Sequence, residues 1–120
     1  MLQLLIAAML AAIAAPAQTP AGAERRCGWI ANPTPGNWWM TDRQGEWILS
    51  TQGDYLAPGM DRIPDMTERG WVRTNGDYGY GCACMTARTD RRTMRVTRLY
   101  SITPVPLRQC RADPRLRRPG

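Results

Sequence analysis

The sequence predicts a mainly β domain, a small antiparallel meander held by disulfides and closed like a barrel or a sandwich, with little helix. Three observations support this class. Four cysteines occur in a chain of only 120 residues. Short stretches rich in aromatic and β-branched residues recur along the chain, and such residues favour strands. Clusters of Gly, Pro, Asn and Asp separate these stretches and favour turns.

The amino-terminal segment is typical of an export signal. Residues 4–15 are an unbroken apolar run, shorter than the roughly 20 residues of a membrane span but as long as the core of a signal peptide. Small residues at 15–17 match a cleavage site, so we expect residues 1–17 to be a signal peptide, with residues 21–23 as an alternative site. The competing interpretation is a buried or peripheral helix. Residues 18–26 are predicted to be a flexible leader before one domain.

Charge is unevenly distributed along the chain, whose formal net charge is +6. Every basic residue is Arg, and His, Lys and Phe are absent. Residues 88–120 contain ten Arg against two Asp, whereas residues 18–87 contain six Arg against eight acidic residues. The basic third favours an anionic neighbour, such as an envelope polymer, a lipid head group or an acidic protein. The simpler interpretation is a solvated basic surface with a flexible basic tail at residues 111–120.

The first two strands of the domain are predicted to form a hairpin over residues 37–51. Pro and Gly within residues 32–36 favour a loop before it. Residues 37–41 form one predicted strand, and residues 46–51, rich in aromatic and β-branched side chains, form the return strand. The four residues at 42–45 end in Gly, which suits a type I turn closed by a left-handed bulge.

A long loop is predicted to follow this hairpin. Residues 52–69 contain two Pro and two Gly and show no sustained period, so we expect a loop with one helical turn near residues 64–68. Residues 70–74 are predicted to be a strand. The Asn75-Gly76 pair after it is the strongest hairpin signal in the chain, because both residues tolerate positive φ.

The last predicted strand covers residues 94–102, after a turn at residues 90–93. Pro104 and Pro106 are expected to end this strand, because proline lacks the backbone N–H that a sheet uses. The ordered domain is therefore expected to span residues 27–110, the stretch bounded by the first and last cysteines.

The four cysteines are expected to form two structural disulfides. Residues 77–89, the return strand after Asn75-Gly76, are the predicted central strand. Cys82 and Cys84 share one face of this strand about 6.6 Å apart, so a bond between them is the least favourable of the three pairings. We expect Cys27 to pair with one of them and Cys110 with the other, in either arrangement, which would clamp both chain ends to one strand. A zinc site is the alternative, but Cys-x-Cys spacing without His does not match one. No metal or cofactor is expected.

Aromatic side chains are the candidates for a binding surface. All five Trp lie between residues 29 and 71, and since the chain has no Phe, some of them must fill the core. Two of the Trp are adjacent, at 38 and 39, and therefore point to opposite faces of a strand, so one can be buried while the other is exposed. The candidate binding residues are Trp29, Asn32, Trp38, Trp39, Tyr55 and Tyr80.

Four stretches of the chain, CGWIANPTPGNWW, TDRQGEW, STQG and WVRTNGDYGYGCAC, carry a resemblance to a known family. Together they resemble a family of small exported bacterial proteins without an assigned function, domain-of-unknown-function family 4087, over about residues 27–110. The resemblance implies export and disulfides but no reaction, ligand or cofactor. The family positions it implies are Cys27, Gly28, Trp29, Asn32, Pro33, Trp38, Asp42, Gly45, Trp47, Gly76, Tyr80, Gly81, Cys82, Cys84 and Cys110.

These observations predict a periplasmic or secreted binding module without enzymatic activity, which uses exposed Trp and Tyr and a basic face to bind an envelope protein or an anionic envelope polymer. The alternative is a small hydrolase of an envelope glycan with paired carboxylates. No catalytic residue is assigned, because the usual general base His is absent and Ser50 and Ser101 lie in no recognisable motif. No groove-reading motif for nucleic acid is present. The carboxylates considered are Asp42, Glu46, Asp54 and Asp77.

Overall fold

The computed structural model describes residues 19–119, so the predicted signal peptide at residues 1–17 lies outside the described part. These described residues form seven strands and one short α-helix, with two single-turn 3-10 helices at Met60–Arg62 and Met66–Glu68. The elements are β1 (Glu24–Asn32), β2 (Trp38–Asp42), β3 (Gly45–Thr51), β4 (Tyr55–Leu56), β5 (Val72–Asn75), β6 (Tyr78–Asp90), β7 (Arg95–Val105) and α1 (Leu107–Arg111).

The strands form one sheet that closes into a ring. Their order is β1-β2-β3-β7-β6-β5, and β1 also pairs with β6, which closes the ring β1-β2-β3-β7-β6 and leaves β5 beside it. β6 can close the ring because its 13 residues pair with β1 along one edge and with β5 and β7 along the other. The mainly β, barrel-like prediction is confirmed. One contact departs from an antiparallel meander: β3 and β7 meet in parallel at Ile48 and Arg95.

The inside of the ring is a single apolar core. Side chains alternate along each strand, so every second residue points inward. Trp47 is fully buried at the centre of this core, and Gly28 brings β1 close to β2, since a Cβ at Gly28 would lie 2.1 Å from a carbonyl oxygen of β2. The buried residues of this core are Ile30, Met40, Trp47, Leu49, Ala57, Met66, Ala83, Met85, Ala87, Val96, Leu99 and Ile102.

A buried arginine closes one end of the ring. Arg26 is 8% exposed, and its Nη1 donates to Asp42 Oδ2 at 2.9 Å while its Nη2 donates to Glu24. The guanidinium also lies 3.9 Å from the centre of the Trp47 ring. The prediction of a flexible leader at residues 18–26 is therefore wrong for its last three residues, which begin β1. The polar sequence of this segment does not indicate that Arg26 is buried, because the side chains that pack against Arg26 come from distant parts of the chain.

Two disulfides fasten the chain ends to β6, as the sequence predicted. Cys27 pairs with Cys84, and Cys82 pairs with Cys110. Cys82 and Cys84 lie on the outer face of β6, opposite the core residues at 83 and 85. The tail is more ordered than predicted, because Leu116 packs against the buried cluster of Trp29, Cys82 and Cys110.

The hairpin over residues 37–51 is confirmed, with Gly45 at φ 138 where the turn rejoins β3. The next hairpin is shifted by one residue from its prediction: Asn75 pairs with Tyr78, and of the Asn75-Gly76 pair only Gly76 has positive φ. The predicted helical turn in the long loop is present at Met66–Glu68, beside a further turn and the short β4.

The last strand is longer than predicted. Pro104 lies within β7 opposite Ala83, and the strand continues to Val105. Proline is tolerated there because β3 pairs only with the first residue of β7. The edge of Pro104 that faces away from β6 therefore has no partner strand that would need an N–H donor. The strand also begins one residue later than predicted, because Met94 ends the turn with φ 56.

Candidate functional site

An aromatic groove lies on the outer face of the barrel, across β2, β1 and β6. The register aligns Trp39 of β2 with Ala31 of β1, and Ala31 with Tyr80 of β6. Neighbouring strands are about 4.8 Å apart, so the backbones of Trp39 and Tyr80 stand roughly 10 Å apart. Ala31 is the floor between them, because its methyl group leaves the space that a larger side chain would fill. We call this surface the aromatic groove.

Trp29, two residues before Ala31 on the same face of β1, supports this groove. Trp29 lies between Thr41 and Cys82 in the register and is only 2% exposed. Its ring meets the Tyr80 ring edge to face at a centroid distance of 5.5 Å, a favourable arrangement of aromatic rings. Trp29 Nε1 is buried and has no hydrogen-bond partner within residues 19–119. Trp29 was a candidate binding residue, but it acts as the support of Tyr80 rather than as an exposed contact.

The carboxyl-terminal tail adds basic residues to the edge of the groove. The cavity has a volume of about 510 Å³, and Arg117, Arg118 and Pro119 line it together with the aromatic residues. Glu46 is the acidic residue among those that line it. The tail reaches this position because the Cys82–Cys110 disulfide holds α1 and Leu116 packs beside it. The groove therefore combines aromatic walls with a net positive charge.

A second cavity lies between β2 and the β5–β6 turn, and we call it the indole cleft. Trp38 and Trp71 both line it and pack against each other, with ring centroids 6.2 Å apart and a tilt of 42°. The cleft has a volume of about 650 Å³, and Asp65 and Asp77 are at its edge. Trp71 is held in place because its Nε1 donates to the Asp77 carbonyl oxygen at 2.9 Å.

Asn32, a candidate binding residue at this cleft, has a structural role. Its Nδ2 donates to the carbonyl oxygens of Thr34 and Asn37 at 2.9 and 2.8 Å. Both N–H groups of the amide thus hold the loop between β1 and β2, and the residue is 8% exposed. A ligand in the indole cleft would meet Trp38 and Trp71 rather than the Asn32 amide.

The carboxylates of the indole cleft are poorly suited to acid catalysis. Hydrogen bonds from the Thr67 hydroxyl and the Thr67 backbone N–H hold the pKa of Asp65 below its ordinary value of 3.8. Asp77 forms an exposed ion pair with Arg73 at 3.1 Å. A glycosidase acid needs a raised pKa so that it carries a proton at neutral pH. Asp65 has the opposite property.

The four carboxylates considered from sequence lie at separate places in the described structure. Asp42 is buried against Arg26, Glu46 lies at the aromatic groove, and Asp77 lies at the indole cleft. Asp54 is 4.0 Å from Arg95 near β4. Asp65, which the sequence did not single out, is the residue that joins Asp77 at one cavity.

The six candidate binding residues do not form one surface. Trp39 and Tyr80 line the aromatic groove above Trp29, and Trp38 lines the indole cleft beside Asn32. Trp38 and Trp39 point to opposite sides, as expected, but both are half-buried rather than one buried and one exposed. Tyr55 lies apart: its hydroxyl donates to the Val96 carbonyl oxygen at 2.6 Å, and Arg95 lies over its ring.

Sequence reasoning missed three contributors to the aromatic groove. Ala31 is inconspicuous in the sequence, although its place two residues after Trp29 puts it on the same face of a strand. Arg117 and Arg118 were predicted to belong to an unanchored tail, and the Cys82–Cys110 disulfide together with the packing of Leu116 brings them to the groove. No local pattern in the sequence indicates that contact.

The described residues offer no site for a metal ion: no three of their His, Cys, Asp and Glu side chains form a group that could hold one. Within residues 19–119, no helix is long and apolar enough to cross a membrane.

The fold and the two cavities define a class, a small disulfide-bonded β-barrel with an aromatic groove on its outer face. Residues 21–117 match the family described as protein of unknown function (DUF4087), and the chain belongs to that family. Searches of curated proteins and of solved structures each found no match. The two disulfides are consistent with a protein of the periplasm or the cell exterior.

Proposed function

We propose that this protein is an exported, non-enzymatic binding module of the bacterial envelope. Its aromatic groove takes an acidic peptide segment of another envelope protein that carries a large apolar side chain. The observation that carries this proposal is the row of Trp39, Ala31 and Tyr80 with Arg117 and Arg118 at its edge. Half-buried aromatic rings next to a basic edge supply apolar contact and charge complementarity on the same surface.

The support under the groove favours binding with little rearrangement. The floor of the groove belongs to strands of the closed ring. Cys82, which is aligned with Trp29 in the register, is fixed by its disulfide. A side chain held by packing loses less conformational freedom on binding, so more of the contact energy appears as affinity. Aromatic residues with buried support are also the usual hot spots of protein interfaces. The groove of about 510 Å³ is large enough for one or two side chains of a partner.

Export is part of this proposal and rests on two features. The apolar run at residues 4–15 has the length of a signal-peptide core. Both disulfides close within one small domain, which is typical of proteins that fold outside the cytoplasm. Mass spectrometry of the mature protein from a periplasmic fraction tests this part. Material that begins after residue 17 supports export, and an intact amino terminus in the cytoplasmic fraction contradicts it.

The alternative function, hydrolysis of an envelope glycan, has one observation in its favour. Asp65 and Asp77 line the same cleft as two indole rings, and such rings commonly stack on sugars. The lowered pKa of Asp65 argues against it as the proton donor. If cell-wall fragments are cleaved by the wild type but not by Asp77→Asn, the hydrolase interpretation is correct and the binding proposal loses its non-enzymatic claim.

Two synthetic peptides test the binding proposal directly. They share a central Leu-Trp pair, and one is flanked by Asp whereas the other is flanked by Lys. We expect isothermal titration calorimetry to show binding of the acidic peptide at least tenfold tighter than binding of the basic one. Ala31→Leu fills the floor of the groove from outside the core and should weaken the acidic peptide about tenfold or more.

The matched control is Thr103→Leu, which adds the same apolar group at an exposed outward position of β7, away from the groove. It should leave the affinity within about twofold of wild type, since a change in general surface hydrophobicity alone has little effect on a specific site. Equal weakening by both variants, or equal binding of the two peptides, would contradict the proposed site.

A further inference from the structure

Two arginines stand directly opposite each other on the outer face of the barrel. The register of β6 and β7 pairs Arg88 with Arg98, and both side chains are exposed. Thr86, two residues before Arg88 on the same face of β6, pairs with Ser101 of β7 on one side and with Arg25 of β1 on the other. Three guanidinium groups and two hydroxyls therefore share one area of the outer face, which we call the arginine patch.

Within residues 19–119, no ion pair neutralises the patch. Within the described residues, Arg25, Arg88 and Arg98 take part in no ion pair, and Arg88 donates instead to the Ala21 carbonyl oxygen. Two acidic residues lie near the patch: Glu24 is bound to Arg26 and to the Thr89 hydroxyl, and Asp90, two residues beyond Arg88 on β6, accepts from the Arg92 backbone N–H. Residues 1–18, which lie outside the described part, contain no Asp or Glu. No acidic side chain of that segment is available to neutralise the patch.

This arrangement is unfavourable for the free protein. Like charges directly opposite each other on neighbouring strands destabilise a sheet, and a carboxylate at either position would relieve the repulsion. The chain holds such pairs elsewhere: Asp90 is opposite Arg95 on the same two strands. A bound anion would remove the cost at Arg88 and Arg98. Arg98 can donate two parallel hydrogen bonds to one oxyanion, and Arg88, whose Nε and Nη2 donate to the Ala21 carbonyl oxygen, can donate from Nη1.

We propose that the arginine patch is a phosphate-binding site. Its ligand is a multiply charged phosphate group, supplied either by the head group of an anionic lipid or by a soluble polyphosphate. Arg88 and Arg98 bind the oxyanion from both sides, and Arg25, diagonal to Arg88 across the sheet, donates from the third strand. The hydroxyls of Thr86 and Ser101 lie at the next position and can donate to a further oxygen.

The patch is separate from the aromatic groove. Both lie on the outer face of β6, but Tyr80 and Arg88 are eight residues apart along the strand, which corresponds to about 26 Å. One protein can therefore hold a phosphate group and a peptide at the same time. The two proposals also fail separately, because the groove variants and the patch variants share no residue.

Titration with tripolyphosphate tests the site, and vesicles distinguish the source of the phosphate. The test variant is Arg88→Gln/Arg98→Gln, and the control is Arg108→Gln/Arg111→Gln. The control removes the same charge from α1, beyond the opposite end of β7. We expect the test variant to bind tripolyphosphate about a hundredfold more weakly than wild type, roughly tenfold for each charge-assisted contact, and the control to stay within about threefold.

The vesicle arm compares phosphatidylcholine alone with phosphatidylcholine containing phosphatidylglycerol. Cosedimentation of wild type, but not of the test variant, with the anionic vesicles supports a lipid head group. Binding of tripolyphosphate without vesicle binding supports a soluble source. If both variants lose affinity equally, the attraction is general charge and the site is refuted. If wild type binds neither probe, the proposal is also refuted.

A measurement without ligand adds an independent check. Because the opposed arginines repel each other, Arg98→Gln should raise the melting temperature of the free protein while reducing its stabilisation by tripolyphosphate. Arg108→Gln should change neither value noticeably. A lower melting temperature for free Arg98→Gln would show that the pair is structural and would overturn the inference.

Discussion

Removal of the Cys82–Cys110 disulfide should separate the stability of the barrel from the stability of its carboxyl-terminal segment. The bond closes a loop with a sequence separation of 28 residues, and Cys27–Cys84 closes one of 57 residues. The chain-entropy relation then gives about 3.6 and about 4.2 kcal/mol respectively at 25 °C. A domain of roughly 100 residues has about 5–15 kcal/mol in total, so either double Cys→Ala variant should remain folded but be strongly destabilised.

The two variants should differ in function. Without Cys82–Cys110, the barrel is still closed by β1 and β6, but α1 and Leu116 lose their covalent link to the outer face. We expect the midpoint of thermal unfolding to fall by roughly 15 °C and hydrogen exchange to increase first in α1. Affinity for the acidic peptide should fall because Arg117 and Arg118 leave the groove. The Cys27–Cys84 variant should lose stability yet keep affinity below its melting temperature. Equal loss of affinity in both variants would refute this reasoning.

Three further predictions concern single positions. Gly28→Ala should prevent folding or lower the free energy of unfolding in urea by at least about 3 kcal/mol, because its Cβ would lie 2.1 Å from a backbone oxygen of β2. A decrease below about 1 kcal/mol would contradict the close approach of the two strands. Arg26→Gln leaves the Asp42 carboxylate buried without its cation and should cost about 3–5 kcal/mol, whereas Arg26→Met with Asp42→Asn, which keeps an acceptor for the Trp47 Nε1–H, should recover part of that stability. The hydrogen bonds from Thr67 lower the pKa of Asp65. They therefore stabilise the fold at pH values above the unfolded-state pKa, and this stabilisation is lost as the pH falls through the folded-state pKa. An NMR titration should find the folded-state pKa below 3.8, and Thr67→Val should raise it.

Local patterns were sufficient to predict the clamp and every strand except β1 and the short β4. The hairpin over residues 37–51 follows from a Gly-ended turn between two aromatic stretches, and the alternation around Cys82 and Cys84 places both sulfurs on one face. Reach then makes a bond between these two sulfurs the least favourable pairing, so the chain ends are the expected partners. Which end takes which sulfur depends on register, because Cys27 lies directly opposite Cys84 once β1 pairs with β6.

Long-range contacts explain what the sequence did not predict. Glu24 and Arg26 looked like part of a polar leader, but Asp42 and Trp47 meet Arg26 only after the ring closes. The opposition of Arg88 and Arg98 likewise depends on two irregularities of register in the β6–β7 pair, which no periodicity reveals. The groove depends on Ala31, whose importance comes from its neighbours across two strands rather than along the chain.

The most direct test of the groove is an NMR titration of isotope-labelled protein with the acidic peptide, followed through backbone amide and indole N–H signals. We predict that the largest shifts occur at Trp39, Ala31 and Tyr80 and at Arg117 and Arg118, while Trp71 in the indole cleft stays unchanged. Shifts concentrated at Trp38 and Trp71, or spread evenly over the barrel, would contradict the assignment of binding to this face.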